Sequence, residues 1–334
     1  MFSQTGDVDK ASKTRNWDGV EAVIVDRGNH LIRHMKFSDN AFQLSTLAGS
    51  PPAPPLSFEP LPGYSDGPGT SARFNDPSDA VVVSTGGPRG VIVIVADGGN
   101  HRLRGVEMAT GEVFTVAGSG DLPGHRDGTL ATAVFSFPRG LAVTDSGLVL
   151  IADQGNHAIR ALDFKSGEVT TIAGSIVGVS GMLDGVGQSA FFKGPVRIVM
   201  YASDTAIVSD FGNSAVRFVD FNTRAVTTAV GTGTSGNLNG DGAVATLASP
   251  IGLAVLDTTI LIADAELDHL RAVTTSSSAA LRDLGVFELD SVDGVEGPLL
   301  FCPGHTGQAG YGEWLGTALH LYVCQDKIVA AKTE

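Results

Sequence analysis

The chain has 334 residues, with 22 basic and 36 acidic side chains and a formal net charge of −14. It contains no block of Lys and Arg, which disfavours the phosphate backbone of a nucleic acid and an anionic membrane surface as main partners. Hydrophobic residues at 43%, with 43 glycines and 15 prolines, predict a substantial core, many tight turns and few long helices.

The N-terminal sequence MFSQTGDVDK lacks the basic start and apolar core of a secretory signal. The longest apolar runs, such as GVIVIVA at 90–96, have the length of a strand and not of a membrane span. We therefore expect a soluble protein without membrane insertion, intracellular unless the sequence is a fragment of a longer extracellular chain. Two cysteines, Cys302 and Cys324, exclude a disulfide framework and leave one local bridge open.

An eight-residue pattern that begins with Asp and ends with Arg occurs five times. The copies are DRGNHLIR from Asp26, DGGNHRLR from Asp97, DQGNHAIR from Asp153, DFGNSAVR from Asp210 and DAELDHLR from Asp264. Their closing arginines are Arg33, Arg104, Arg160, Arg217 and Arg271. An Asp-Gly pair and then a proline follow most copies, so the repeating unit is about 57 residues long.

Each unit reads as four strands joined by turns. In the third unit, GLAV at 140–143 and LVLIAD at 148–153 are short apolar runs, and AIRALDF at 158–164 and EVTTIAG at 168–174 alternate. Such a sheet cannot bury both faces alone, but radially stacked sheets cover one another. The pattern predicts an all-β protein, a β-propeller, with an open solenoid as the weaker alternative.

The D-x-x-N-H-x-[IL]-R unit, preceded by P-x-G-L-A-V and followed by a Gly-Glu turn, resembles the NHL repeat, and residues 29–31 spell Asn-His-Leu. The resemblance covers roughly residues 20–275 and implies the NHL β-propeller fold. It does not imply one activity, because that family includes RNA-binding modules, protein-interaction scaffolds, extracellular sensor domains and a zinc lyase.

We expect residues 1–334 to form a single propeller domain. Residues 281–334 read as a degenerate closing unit, with an Asp-Gly pair at 293–294, Pro303 and a strand in ALHLYVCQDK at 318–327. Residues 1–19 precede the second strand of the first unit, so both termini are expected to complete one mixed blade. Six four-stranded blades are predicted, with five as the alternative.

The five Asp–Arg pairs are interpreted as structural, because repeat units duplicate parts of a scaffold and a carboxylate and a guanidinium can meet across a hairpin. His30, His101 and His157 share one slot in three units, where the other two have Ser214 and Asp268. Equivalent positions on adjacent blades lie too far apart for three nitrogens to bind one ion, so these imidazoles are expected to pack on the neighbouring blade. No cofactor is predicted, with zinc or calcium as the alternatives.

Two short motif matches are interpreted as loops. GTGTSG at 231–236 fits a dinucleotide-binding pattern but no helix follows it, and GYSDG at 63–67 fits a nucleophile elbow but no strand precedes Ser65. The segment NLNGDG has no Glu at the closing position of a calcium loop, which is Ala248.

The candidate functional residues are those that differ between units just after the repeated proline, at the mouth of the channel. They are Asp79, Arg139, Arg197 and His305. The Asp-Gly aspartates are expected nearby as residues that shape turns: Asp66, Asp127, Asp184 and Asp241. We predict a non-catalytic binding platform whose top face holds a protein or peptide partner. The alternative is a metal-dependent enzyme of the lyase or lactonase kind with a site in the channel, and RNA binding, disfavoured by the acidity, is third.

Overall fold

A computed structural model describes residues 21–38, 41–51, 61–84, 89–119, 122–256 and 258–274. It also gives the backbone of four strands at 280–283, 310–314, 317–324 and 327–332. These residues form six antiparallel sheets, and the predicted all-β propeller is confirmed.

Five sheets each carry one copy of the Asp-to-Arg pattern, and they are the blades of the propeller. The first blade contains β1 (Glu21–Asp26), β2 (Leu31–Ser38) and β3 (Ala41–Ala48). The second contains β4 (Pro77–Ser84), β5 (Val91–Asp97), β6 (Arg102–Glu107) and β7 (Val113–Ala117). In the second blade the strand order follows the chain, as predicted for four strands joined by hairpins.

The next three blades have five strands, because a two-residue strand from the preceding loop pairs with the outermost strand. The third blade contains β8 (Gly128–Thr129), β9 (Pro138–Val143), β10 (Val149–Asp153), β11 (Ala158–Asp163) and β12 (Glu168–Gly174). The fourth contains β13 (Gly185–Val186), β14 (Pro195–Met200), β15 (Thr205–Asp210), β16 (Ala215–Asp220) and β17 (Ala225–Val230). The fifth contains β18 (Gly240–Asp241), β19 (Pro250–Leu256), β20 (Thr259–Asp264), β21 (His269–Thr274) and β22 (Ala280–Asp283). The two-residue edge strands β8, β13 and β18 were not predicted.

The sixth sheet contains β23 (Gly310–Trp314), β24 (Thr317–Cys324) and β25 (Lys327–Lys332), and β23 lies against β19. The strand predicted at 318–327 corresponds to β24. Residues 1–19 lie outside the described part of the chain, so a sixth blade closed by both termini stays a prediction.

Short 3-10 helices punctuate the strands. One follows the repeated Asp in each blade, and the five are Arg27–Asn29, Gly98–Asn100, Gln154–Asn156, Phe211–Asn213 and Ala265–Leu267. Two more, Gly69–Ser71 and Gly187–Ser189, lie in loops between blades. Each of the first five ends in a left-handed residue, and the five are His30, His101, His157, Ser214 and Asp268. His, Asn and Asp are enriched in this conformation among non-glycine residues, which suits three of these slots to His.

The core lies between neighbouring blades. Fully buried Phe135 packs between the second and third blades with Ile94 and Ile151, and Phe74 and Phe192 hold the equivalent places one blade away on either side. Because both faces of each sheet are covered, the second strands are almost continuously apolar, as in GVIVIVA. The innermost strands β4, β9, β14 and β19 lie side by side in that order.

Candidate functional site at the top face

Every complete blade places its 3-10 turn and its repeated proline at the same end. In the second blade Pro77 lies opposite Asp97, and in the third Pro138 lies opposite Asp153. The same pairing recurs in the fourth and fifth blades. This end, which carries the five turns and the residues before the repeated prolines, is called the top face below.

The repeated Asp and Arg are joined inside each blade. In the second blade both are fully buried, and Arg104 Nη1 donates to Asp97 Oδ2 over 2.8 Å. Asn100 Nδ2 donates to the same oxygen, and the backbone N–H of Asn75 donates to Oδ1. These donors compensate a carboxylate that would otherwise be costly to bury, so the pair fastens the hairpin to the start of the innermost strand.

The other four blades have the same Asp–Arg contact at different separations. The separations are 2.8 Å for Asp153–Arg160, 2.9 Å for Asp210–Arg217, 3.4 Å for Asp26–Arg33 and 3.5 Å for Asp264–Arg271. Burial raises the pKa of Asp153 to about 6, against the opposing effects of Arg160 and Asn156. Asp153 therefore remains largely ionised at neutral pH, as its donors require.

The Asp of the loop between blades is a second acceptor for the same arginine. Asp66 accepts from Arg104, Asp127 from Arg160 and Asp184 from Arg217, over 2.5, 2.7 and 2.7 Å. In the fifth blade Arg271 donates instead to Asn239 over 2.7 Å, while Asp241 lies in β18. Asn239, two residues before Asp241, therefore holds in the fifth blade the place that Asp66, Asp127 and Asp184 hold in the other three.

The three histidines join adjacent blades. The Nδ1 atoms of His30, His101 and His157 accept the backbone N–H of Asp76, Phe137 and Gly194, respectively, over 3.0–3.1 Å. Burial lowers the pKa of all three imidazoles, which keeps Nδ1 free to accept. In the fourth blade Ser214 Oγ donates to the carbonyl of Ala248, so a hydroxyl makes the corresponding link.

Two of the predicted binding residues contact each other. Arg197 on β14 donates to Asp79 on β4, although β9 of the third blade lies between these strands. Asp79 is 3% exposed and Arg197 is 7% exposed. The Asp79 carboxylate also accepts the backbone N–H of Leu141 on β9, so this ion pair ties together the innermost strands of three blades.

Arg139, a third predicted binding residue, has a different environment. It follows Pro138 at the top of β9 and is half-buried. It lies in the field of Arg27 and Asp76 at the first and second blades, and its pKa is lowered to about 10 by burial, then by Arg27, while Asp76 opposes the shift. Among the described residues, no acceptor lies within hydrogen-bonding distance of its guanidinium. His305, the fourth predicted residue, lies outside the described residues.

Arg27 and Asp76 form an ion pair that sequence reasoning missed. Arg27 Nε and Nη2 donate to the two carboxylate oxygens of Asp76, the second over 2.7 Å. Burial acts to raise the pKa of Asp76, but the hydrogen bond and charge of Arg27 outweigh it and the pKa is lowered. The residue after the repeated Asp and the residue before the proline both differ between units, and that variation was a usable signal.

Two exposed aromatic rings lie at the top face, Phe137 just before Pro138 and Phe211 in the 3-10 turn of the fourth blade. Phe137 is 45% exposed and Phe211 is 37% exposed. Phe137 has φ +49° and packs edge-on against His101, with ring centroids 4.5 Å apart. A face that carries both a guanidinium and an exposed aromatic ring can bind an anionic, partly apolar group. Within the described ranges, no three His, Cys, Asp or Glu side chains are grouped so that they could hold a metal ion.

The NHL repeat family model matches residues 135–162, which span most of the third blade. NHL repeat-containing protein 2 of Bos taurus is 26% identical over 256 residues, which are 70% of this chain and 34% of that protein. Protein SUPPRESSOR OF QUENCHING 1, chloroplastic, of Arabidopsis thaliana is 30% identical over 152 residues, 46% of this chain and 14% of that protein. The chain thus spans well under half the length of these curated relatives.

Solved structures share the fold at low identity. A catalytically inactive virginiamycin B lyase from Staphylococcus aureus with quinupristin aligns with a TM-score of 0.51 and 12% identity, over 98% of this chain and 82% of that one. An auxiliary nutrient binding protein from Bacteroides ovatus aligns with a TM-score of 0.51 and 14% identity, over 83% and 56%. These likenesses concern the fold alone.

Fold and repeat together define the class of protein, a β-propeller built from one recurring unit. The match of the NHL repeat model and the likeness to NHL repeat-containing protein 2 support the NHL-repeat β-propeller family that the resemblance predicted. None of the helices in the described part of the chain is long and apolar enough to cross a membrane.

Proposed function

We propose that this propeller is a binding platform whose top face holds a protein or peptide partner around Arg139 and Phe137. The observation that carries the proposal is the half-buried guanidinium of Arg139, for which the described residues supply no acceptor. Burying a charged donor without an acceptor costs free energy, so such a group persists at a surface where it serves a ligand.

The ion pair of Asp79 and Arg197 supports the choice of Arg139 as the binding residue. Because Asp79 and Arg197 are nearly fully buried and bonded to each other, neither offers a free charge to a ligand. Three of the repeated arginines are fully buried and each is bonded to two aspartates; they are Arg104, Arg160 and Arg217. Arg139 is therefore the better choice for binding than Arg197, which stood beside it in the sequence-based set.

Affinity capture from a cell extract tests whether the top face binds a protein partner. The bait is the wild-type chain, and the variants are Arg139→Ala and Phe137→Gly; glycine suits the second site because Gly194 holds the equivalent left-handed position. Arg224→Ala is the matched control, because Arg224 is exposed and lies in the turn between β16 and β17 at the opposite end of the fourth blade.

We expect the captured set of proteins to shrink with both top-face variants and to stay unchanged with Arg224→Ala, while urea unfolding shows that all three variants are folded. Identical captured sets for wild type, Arg139→Ala and Phe137→Gly would overturn the proposal. Loss of the same proteins with Arg224→Ala would also overturn it, because the interaction would then not depend on the top face.

A further inference from the structure

The charges around Arg139 define what kind of ligand it can hold. Both oxygens of the Asp76 carboxylate accept from Arg27, so the anion whose charge acts on Arg139 already has a cation of its own. Arg139 feels the charge of Asp76 but donates no hydrogen bond to it. A guanidinium carries five N–H donors in a fixed planar fork, and two of them match the two oxygens of one carboxylate.

A single negative charge suits this surrounding better than a doubly charged phosphate. Arg27 is neutralised by Asp76, which leaves Arg139 as one net positive charge beside a carboxylate that repels anions. The whole chain carries a net charge of −14. A dianion would meet more repulsion from Asp76 and from the acidic chain than a monoanion would, while two donors of the fork match the two oxygens of a carboxylate.

Phe137, two residues before Arg139 in the chain, points to an apolar group next to the carboxylate. Phe137 occupies the left-handed region, where a bulky side chain is strained, although Gly194 fills the same position in the next blade without strain. The ring nevertheless remains 45% exposed. The T-shaped packing of Phe137 and His101 therefore leaves part of the Phe137 ring available to a ligand.

We infer that the ligand group at the top face is a single carboxylate of a peptide, seated on the Arg139 fork, with an apolar side chain of the same peptide against Phe137. This inference rests on the proposed function and adds the chemical class of the partner: an acidic peptide segment in which an Asp or Glu adjoins an apolar residue. A phosphorylated peptide is the competing ligand that the test below separates.

The probes are short acetylated and amidated peptides in a Gly background, with Phe followed by Asp, Asn or phosphoserine, and one with Ser followed by Asp. Their binding to the full chain is followed by heteronuclear NMR of the arginine Nε–H signals. The signal of Arg139 is assigned by its disappearance in Arg139→Lys. This substitution keeps the charge and removes the fork, and Arg224→Ala is titrated as the matched control.

We expect the Phe-Asp peptide to shift the Arg139 signal and to bind roughly ten- to a hundredfold more tightly than the Phe-Asn peptide, the usual effect of a lost charged hydrogen bond. The Ser-Asp peptide should bind more weakly than Phe-Asp. Arg139→Lys, followed through the remaining arginine signals, should lose part of the preference for Asp over Asn, whereas Arg224→Ala should keep all of it.

Tighter binding of the phosphoserine peptide than of Phe-Asp would overturn the carboxylate assignment. Equal binding of Phe-Asp and Phe-Asn, or no shift of the Arg139 signal by any probe, would overturn it as well. Neither result touches the proposed function, which fails if capture of proteins is indifferent to Arg139 and Phe137 or is lost equally with Arg224→Ala. The two failures are therefore distinguishable.

Discussion

Arg197 on the innermost strand of the fourth blade donates a hydrogen bond to Asp79 on the innermost strand of the second blade, 118 residues earlier in the chain. Between them, the backbone N–H of Leu141 on the third blade donates to the same carboxylate. One buried carboxylate thus connects three blades that are otherwise linked through contacts between neighbours. A repeat protein gains in this way a contact that spans more than one repeat interface.

Removing one partner of this pair should destabilise the protein strongly. We expect Asp79→Asn to lower the free energy of unfolding by about 3 kcal/mol, because it leaves Arg197 as a buried charge without its carboxylate. The double variant Asp79→Asn with Arg197→Met should recover most of that loss, since no unpaired charge remains. Urea unfolding measures both. A single variant no less stable than the double variant would contradict the importance of the pair.

The close packing of the innermost strands predicts a second effect, at Gly140 on β9. A Cβ atom there would lie 2.7 Å from the carbonyl oxygen of Val196 and 2.9 Å from the Cα of Arg197, both backbone atoms that cannot rotate away. We expect Gly140→Ala to cost about 1–3 kcal/mol of unfolding free energy. Gly28→Ala is the control, because a methyl group added at Gly28 would have no other atom within 4 Å. Equal unfolding midpoints for the two variants would contradict this account.

The repeat made much of the fold predictable from sequence. The spacing of Asp97 and Arg104 identified the hairpin, and the repeated proline identified the start of the innermost strand. The structure places Pro77 opposite Asp97, so these markers do lie at one end of the blade. The local periodicity of the sequence was enough to predict the blades, because each blade is formed by strands that follow one another in the chain.

The candidate site was less predictable, because its contacts cross blades. Arg27 and Asp76 are 49 residues apart, and Asp79 and Arg197 are 118 apart. Neither separation is a feature of the repeat. Arg139 and Arg197 looked equivalent in sequence, but Arg139 directly follows its proline and Arg197 is the second residue after its own. Arg139 therefore lies in the field of the Arg27–Asp76 pair, whereas Arg197 is buried and bonded to Asp79. The direction of each side chain and the curvature of the ring of blades decide which environment each arginine has, and the repeat pattern in the sequence specifies neither.

The histidine links predict a dependence of stability on pH. Burial lowers the pKa of His101 below its ordinary value of 6.5, so the unfolded chain binds more protons as the pH falls past that value. Stability contributed by neutral His101 is therefore complete above pH 6.5 and is lost as the pH falls towards the folded-state pKa. His101→Asn keeps an acceptor and tolerates the left-handed backbone.

The variant isolates this contribution from the buried aspartates, whose pKa values are raised by burial and whose effect has the opposite sign. Urea midpoints between pH 7.5 and 5 should fall more steeply for wild type than for His101→Asn. Parallel curves for the two proteins over this pH range would show that the imidazole remains a satisfactory partner when protonated.

The fifth blade offers a gain in stability, because Asn239 stands where Asp66, Asp127 and Asp184 stand in the others. Asn239→Asp would place a carboxylate opposite the buried Arg271 and should raise the free energy of unfolding by roughly 0.5–1 kcal/mol, a modest gain because position 239 is exposed and screened. Asp241→Asn is the control and should change nothing, since Asp241 is exposed in the edge strand. The reverse order of effects in urea unfolding would restore Asp241 as the equivalent of the other aspartates.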